Sequence, residues 1–591
     1  MHSKSFFTRF LIWRYKHISD KNFTYFLSIV VGLVSGLAAV TLKNLTHLIA
    51  STLESSETIG NYHTYFYFIF PFIGLALVLF VKKVLLKQEV GHGIPLALFS
   101  LSQREGKMKR KNLISSLLTA PLTVGFGGSV GLEGPSVATG ASFGSNIAQL
   151  FHVKAHTRKL LLVCAAAGSL SAIFKAPIAA ILFAIEVFSL DLTFASLLPL
   201  LFASVSAVVT RMLFIGEQYI LDFHNIQGFE IIDLLFYIAL GILTAVFSIY
   251  FTKVYFSTEK YFSSIKNDYL KISIAGILLG ALMFTVPPLY GEGFNFINNL
   301  IFEDTQTAFQ HFFFPEWLGE PWLVILLILG LILLKPLATA ITLSSGGVGG
   351  VFAPVLFLGA VTGNFFVAIC NQLGFNLSVS NFTMIGMAGM MAGVLHAPLT
   401  AMFLIAEITG GYELFVPLML TVAISFIISK TNTDYNIYTK ELKEKNELLT
   451  HDKDHNVLTL LKLDSIIENN FISITPKMSL KEILHHAVAK SKRNLYPVLN
   501  TEKELIGVIT LDDIREIMLD PKLQESLLAE FIMHDAPGYI YYGKDSARQV
   551  MNKFENTAAW NLPVIDQNGK YMGFISKSKL LTAYRQKLIT F

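Results

Sequence analysis

Charge is what this chain has least of. Only 15% of its 591 residues are Asp, Glu, Lys or Arg, against 53% hydrophobic, a balance that excludes an ordinary soluble enzyme and describes a polytopic membrane protein. The net charge of +4 gives no reason to expect a nucleic-acid partner. Cysteine is scarce too: Cys164 and Cys370 each sit in an apolar segment, where a thiol packs as a small hydrophobe rather than forming a disulfide or a metal site. No Walker sequence, GxSxG or HExxH occurs, and the adjacent His485 and His486 lack the spacing of a zinc pair, so no built-in ATP-driven pump, intramembrane hydrolase or metal centre is expected. No secretory signal stands out. Met1 to Lys16 alternates aromatics with Lys4, Arg9, Arg14 and Lys16, and residues 1–22 read as a cytoplasmic, interfacial helix.

What is present is a series of uncharged runs: Phe23 to Leu42, Thr64 to Val81, Asn112 to Leu132, Leu192 to Thr210, Leu234 to Thr252 and Ile272 to Gly291. Each has about the 20 residues needed to span a bilayer. The longest stretch without Asp, Glu, Lys or Arg runs from Pro336 to Ala406 and carries many glycines with Pro354 and Pro398. It is expected to be several short, broken helices buried in protein, the kind from which midplane ion sites are made. Ser51 to His63 has acids and no Lys or Arg, whereas Lys82 to Lys111 is dense in both basic types. The first loop is therefore expected outside and the second, like the N-terminus, in the cytoplasm.

One acid stands apart. Between Asn112 and Val153 the single Asp, Glu, Lys or Arg is Glu133, in GFGGSVGLEGPSVATG. An ionisable group alone in apolar sequence marks an ion or proton pathway by default, and a short Glu does not snorkel to a surface as Lys does. Pro135 suits the first turn of a helix, so Gly131 to Gly134 would offer unpaired amides to an anion. The Glu133 carboxylate is itself an anion; it can hold that place and leave when protonated, which makes it a gate.

The chain repeats. Pro135 and Gly140 match Pro354 and Gly359 in GVGGVFAPVLFLG, and AAGSLSAIFKAPIAAILFAIE, ending at Glu186, matches MAGMMAGVLHAPLTAMFLIAE, ending at Glu407. Two structural repeats, about 23–215 and 230–430, follow, with the site expected between them; an inverted relation is expected of such repeats, although the matched spacing does not itself show it. A third glycine-rich stretch, GHGIP at Gly91 to Pro95, gives three helix starts that can converge on one anion without a full positive charge.

GHGIP, GLEGP and GGVFAP, in that order and followed by paired AP segments, resemble the signature stretches of the CLC family of chloride channels and proton/chloride exchangers over roughly residues 20–445. The resemblance implies an all-α membrane domain (23–445) of inverted repeats, a homodimer with one pore per subunit, and a plasma (inner) membrane location. It places Glu133 on the external gating glutamate. The anion-binding positions fall on Gly91, His92, Gly93, Leu132, Gly134, Val351, Phe352 and Ala353. His92 stands where the family commonly has serine, and a neutral imidazole can donate one hydrogen bond to an anion or relay protons. Val187 occupies the inner proton-glutamate position of the exchangers and is not acidic, while Glu186 reads as structural. Tyr435 is the best candidate for the inner gate tyrosine, with Tyr438 near. The first reading is a chloride channel gated by protonation of Glu133, the alternative a proton-coupled chloride antiporter, and a CBS-regulated membrane sensor without transport comes third.

After Lys440 charges become dense, and residues 446–463 read as a linker. FISITPKMSLKEILHHAVAKSKRNLYPVLNTEKELIGVITLDDI is echoed by YIYYGKDSARQVMNKFENTAAWNLPVIDQNGKYMGFISKSKL. Each copy has the pattern of helix, strand, turn, strand and helix. The pair resembles tandem CBS motifs (about 464–520 and 530–588), an α/β module expected at the cytoplasmic face. Such modules often bind an adenine nucleotide, here through Thr510 and Asp513; the second copy has Ser576 and Lys579 and lacks the acid. The alternative is a module that only dimerises and stiffens.

Overall fold

The computed structural model describes residues 6–54, 63–88, 90–91, 93–190, 193–216, 221, 228, 230–302, 305–309, 319–433, 435–440, 443, 457–458, 461 and 463–590. The chain divides into two units, Met1–Lys445 and Asn446–Phe591. Much of the expected linker, and His92, lie outside the described residues.

The first unit is helical. Its first half comprises α1 (Phe6–His17), α2 (Asp20–Glu54), α3 (His63–Phe80), α4 (Gly93–Gln103), α5 (Asn112–Gly125), α6 (Glu133–Leu150), α7 (Ala155–Phe174), α8 (Pro177–Phe188) and α9 (Phe194–Ile215). The second half comprises α10 (Leu234–Ser264), α11 (Asp268–Thr285), α12 (Phe294–Ile301), α13 (Pro321–Ser344), α14 (Phe352–Gln372), α15 (Val379–Leu395), α16 (Pro398–Ile408) and α17 (Phe415–Asn432). Among the described residues nine helices are long and apolar enough to cross a membrane. Local signals set several starts: the Thr193–Ser196 capping box opens α9, the Asn267 side chain accepts from Tyr269 and Leu270 amides at α11, and proline occupies the first turn of α8, α13 and α16.

The charge-free run breaks as its glycines and prolines imply, into the end of α13, then α14, α15 and nearly all of α16. Two other runs are shorter helices than their apolar length suggests. Asn112 to Leu132 is helix only to Gly125, because Gly127 turns back at φ +88° with the Tyr290 ring packed where its Cβ would be. Ile272 to Gly291 is helix only to Thr285, where Val286 meets Pro287 and Pro288.

The two halves are inverted with respect to each other. The Glu186 carboxylate at the end of α8 accepts from the Leu399 and Thr400 amides (both 2.8 Å) and the Thr400 hydroxyl (2.6 Å) at the start of α16. Glu407, at the end of α16, accepts from the Ile178 (3.0 Å) and Ala179 (2.7 Å) amides at the start of α8. Each helix end meets the other's beginning, so the matched helices run antiparallel. The matched glycines serve packing: Gly140 lets α6 lie on the Ala165 carbonyl of α7, and Gly359 lets α14 lie on Gly386 of α15. Glu186 is thus a cap, as the sequence suggested.

The second unit carries the echo in three dimensions. β1 (Leu495–Leu499) pairs antiparallel with β2 (Leu505–Thr510), and β4 (Asn561–Ile565) with β5 (Tyr571–Ser576), while β3 (Ile540–Tyr541) adds parallel to β4. Pro497 faces Val508 in one pair and Pro563 faces Phe574 in the other, with an irregularity after Val498 and Val564 alike. In each copy a serine capping box, Ser479 with Glu482 and Ser546 with Gln549, starts the helix that packs beneath.

Candidate functional site

The site is where the helix starts of the two halves touch. The Gly131 amide donates to the Gly350 carbonyl and the Gly350 amide to the Gly131 carbonyl, both at 2.8 Å. Each glycine lies four residues before its proline, Pro135 or Pro354, so the bridge is symmetric in the repeat. Leu132 and Val351 follow as equivalent N-caps with φ −87° and −88°. The backbones are in contact: a Cβ on Gly350 would stand 2.7 Å from the Gly134 nitrogen, and one on Gly93 2.9 Å from the Gly134 carbonyl. Gly93 starts α4 at φ +48° and donates to the Gly91 carbonyl at 3.0 Å. The structure therefore brings Gly93, Leu132, Glu133, Gly134, Val351, Phe352 and Ala353 together, with Gly91 beside them. Phe352 anchors its helix start by packing 5.0 Å from Phe174.

Glu133 is completely buried, and among the described residues neither carboxylate oxygen has a hydrogen bond of ordinary geometry. The side chain of the first repeat reaches across to the second. It lies against Gly131 and the Ala353 methyl, and the amides nearest to it are its own and that of Ala353. A buried carboxylate with so few partners is costly when charged. Protonating it removes the cost and releases the surrounding amides to another anion.

Three functional groups escaped sequence reasoning or were not ranked first by it. The Leu132 amide donates to Oε1 of Glu292 at 3.1 Å. Glu292 sits in the loop between α11 and α12, and its signal in the sequence is an acid between two glycines, GEG, two residues after the Pro287–Pro288 pair. Lys335, wholly buried, donates to the carbonyls of Leu289 (3.4 Å) and Gly291 (3.3 Å) and lies 4.5 Å over the Phe357 ring. It borders the charge-free run and could have been read as an intramembrane cation.

The third is Tyr438. Asn436 accepts from the amides of Tyr438 and Thr439 (both 3.0 Å) and donates to the Leu395 carbonyl (2.8 Å), pinning this turn to the end of α15. Tyr438 is thereby buried, its hydroxyl has no hydrogen-bond partner among the described residues, and it lies within electrostatic range of Glu133. Tyr435 points elsewhere, 6.0 Å from the Phe256 ring, with Lys443 over its face. The turn, not the order of tyrosines, decides which ring enters, and Asn436 was the available clue. Val187 is buried near the end of α8.

In the second unit Asp513 and Thr510 cap a helix together. Oδ2 of Asp513 accepts from the Thr510 amide (2.6 Å) and hydroxyl (2.7 Å) and contacts His534 Nε2 at 3.1 Å. Burial alone would raise the Asp513 pKa; these hydrogen bonds and the neighbouring imidazole outweigh it and hold the carboxyl below its ordinary value. A separate cavity of about 660 Å³ is lined by Glu468, Arg493, Trp560, Ser576 and Lys579. The Thr510 and His534 contacts all fall on Oδ2 of Asp513, and a carboxylate has two acceptor oxygens, so capping the helix does not by itself occupy the acid.

Residues 73–430 match the family model of voltage-gated chloride channels, and residues 463–520 and 530–586 match the CBS domain model. The chain is 30% identical over 339 residues to the H(+)/Cl(-) exchange transporter ClcA of Vibrio campbellii, covering 55% of this chain and 68% of that one, and 27% identical over 449 residues to ClcA of Vibrio cholerae, covering 72% and 90%. It is 28% identical over 348 residues to a putative chloride channel protein, ClcB-like, of Ralstonia nicotianae, covering 57% and 76%. The fold resembles a slow cyanobacterial Cl-/H+ antiporter with a TM-score of 0.62 at 24% identity, covering 71% of this chain and 97% of that one.

Proposed function

This chain belongs to the voltage-gated chloride channel family, whose members move anions across membranes, and from that premise we propose that it exchanges chloride for protons. The observation that carries the reading is the Glu133 carboxylate, buried between the helix starts of the two repeats without an ordinary hydrogen bond among the described residues. When charged it stands in for a halide against the amides of α6 and α14. Protonated, it no longer competes, chloride takes its place, and the return of the carboxylate expels the anion as the proton departs. Each cycle thus ties an anion's movement to a proton's. The exchange transporters among the relatives favour this over the gated channel that the sequence reading put first. One observation favours the channel: Val187, where the resemblance places the exchangers' inner acid, is buried and apolar.

In this reading the basic Lys82 to Lys111 segment is cytoplasmic. The Lys83–Asp268 ion pair (2.8 Å) puts the start of α11 on the same side, so the loop bearing Glu292, at its far end, faces out. Tyr438 takes the inner gate that the sequence reading gave to Tyr435. Two copies associate in the plasma membrane, each with its own pathway, and the C-terminal unit is a cytoplasmic module.

Reconstitution in liposomes tests the proposal. A chloride gradient is expected to drive protons uphill, and Glu133→Gln to abolish proton movement while chloride still flows. Chloride flux without uphill protons in the wild type decides for the channel. Unaltered coupling in Glu133→Gln removes Glu133 from the mechanism.

A further inference from the structure

Glu292 does something unusual for an acid beside an anion pathway. Leu132 and Val351 are equivalent N-caps of the two repeats, yet the Leu132 amide is occupied by a carboxylate, Oε1 of Glu292, at 3.1 Å. An amide already donating to a carboxylate is not available to a halide. The loop that brings Glu292 there is held firmly. The Ser129 hydroxyl donates to the Leu289 carbonyl (2.7 Å), the Gly291 amide donates to the Gly127 carbonyl (3.1 Å), and Lys335 ties the Leu289 and Gly291 carbonyls from the other side. Gly293, at φ +85°, packs against the Phe357 ring and fixes the direction in which its neighbour points.

The charges around Glu292 come from four elements. Glu133 on α6 shares its electrostatic field, and so do Lys43 on α2 and Lys335 on α13. Arg211 on α9 bears on Lys43 in turn. Two acids thus face one backbone segment, Glu133 from α6 and Glu292 from the loop before α12. Two carboxylates in each other's field disfavour a state in which both are ionised.

Resting on the exchange reading of Glu133, we infer that Glu292 is a second, outer gate of the same pathway, a carboxylate that holds the Leu132 amide in place of an incoming chloride and yields it on protonation. Entry from outside then requires two acids to give way in series. Protonation of Glu292 removes a negative charge from the mouth and weakens its claim on the amide, so external acid opens the outer position before it reaches Glu133. The step moves only a proton from outside water onto a carboxylate oxygen; no covalent bond of the protein changes.

The experiment compares the full-length wild type with Glu292→Gln, Glu292→Ala and Glu133→Gln in liposomes, measuring chloride flux against external pH and external chloride. Glu292→Gln mimics the protonated acid, an uncharged oxygen with a weaker claim on the amide, and loses the titration: its dependence on external pH is expected to fall from a profile steeper than one proton to a single-proton curve. Glu292→Ala frees the amide and is expected to raise apparent affinity for external chloride by about fivefold, the worth of one exchanged hydrogen bond. If both Glu292 variants keep the wild-type pH profile and chloride affinity, Glu292 is a loop brace and the inference falls, even when Glu133→Gln loses coupling as expected. Should Glu292→Ala not fold, the profile of Glu292→Gln decides alone. Failure of the Glu133 reading shows separately, as intact coupling in Glu133→Gln.

Discussion

At the scale of single residues, the site holds buried polar atoms that have no ordinary hydrogen bond among the described residues. Such atoms cost roughly 1–3 kcal/mol each, and a fold tolerates them where function needs them exposed to something transient. Glu133 is one and the Tyr438 hydroxyl is another. The tyrosine gives a test in which stability and function part company. Tyr438→Phe removes a buried hydroxyl that makes no hydrogen bond among the described residues, so thermal unfolding in detergent is expected at the wild-type temperature or slightly above it. Chloride binding, followed by titration calorimetry, is expected to weaken by several-fold. Tyr435→Phe, on a ring that packs against Phe256, should leave both unchanged. A stability loss in Tyr438→Phe with normal chloride binding would make that ring structural.

At the scale of elements, the inverted repeat is held by exchanged carboxylates. A glutamate at the end of one short helix accepts from the unpaired first amides of its counterpart, satisfying groups that no intrahelical partner could reach. Glu186 makes three such bonds and Glu407 two. Glu186→Ala should therefore destabilise more than Glu407→Ala, by about 2–3 kcal/mol as expected for charge-assisted bonds at a helix start, and Glu186→Gln by less. The surviving protein should transport with unchanged proton-to-chloride stoichiometry, because these bonds join α8 to α16 and leave Glu133 untouched. Thermal unfolding checks the first expectation and flux ratios the second. A changed ratio with normal stability would instead give Glu186 a place in the proton route.

At the scale of the whole molecule, what was legible in the sequence was whatever depends on spacing and composition. The solitary Glu133, the matched prolines and the broken charge-free run needed only local physics, and the three helix starts do meet as their order implied. What was not legible depends on contacts between distant segments. The stop at Gly125 is set by a Tyr290 ring over a hundred residues away in sequence, Tyr438 enters because Asn436 binds the end of α15, and Glu292 matters because its loop folds back on Leu132. The division into two units is both legible and consequential. The C-terminal unit has buried apolar clusters of its own, one around Ile474, Tyr496 and Ile509 and another around Ile540, Leu562 and Ile575. The pathway residues all precede Lys445. A chain ended after Lys445 is accordingly expected to insert, fold and exchange chloride for protons with the wild-type stoichiometry, while its rate or regulation changes. Flux from the truncated protein, with its folding checked by size-exclusion chromatography, is the measurement. A folded but silent truncation would place part of the transport machinery in the second unit, and the division drawn between pathway and module would have to be given up.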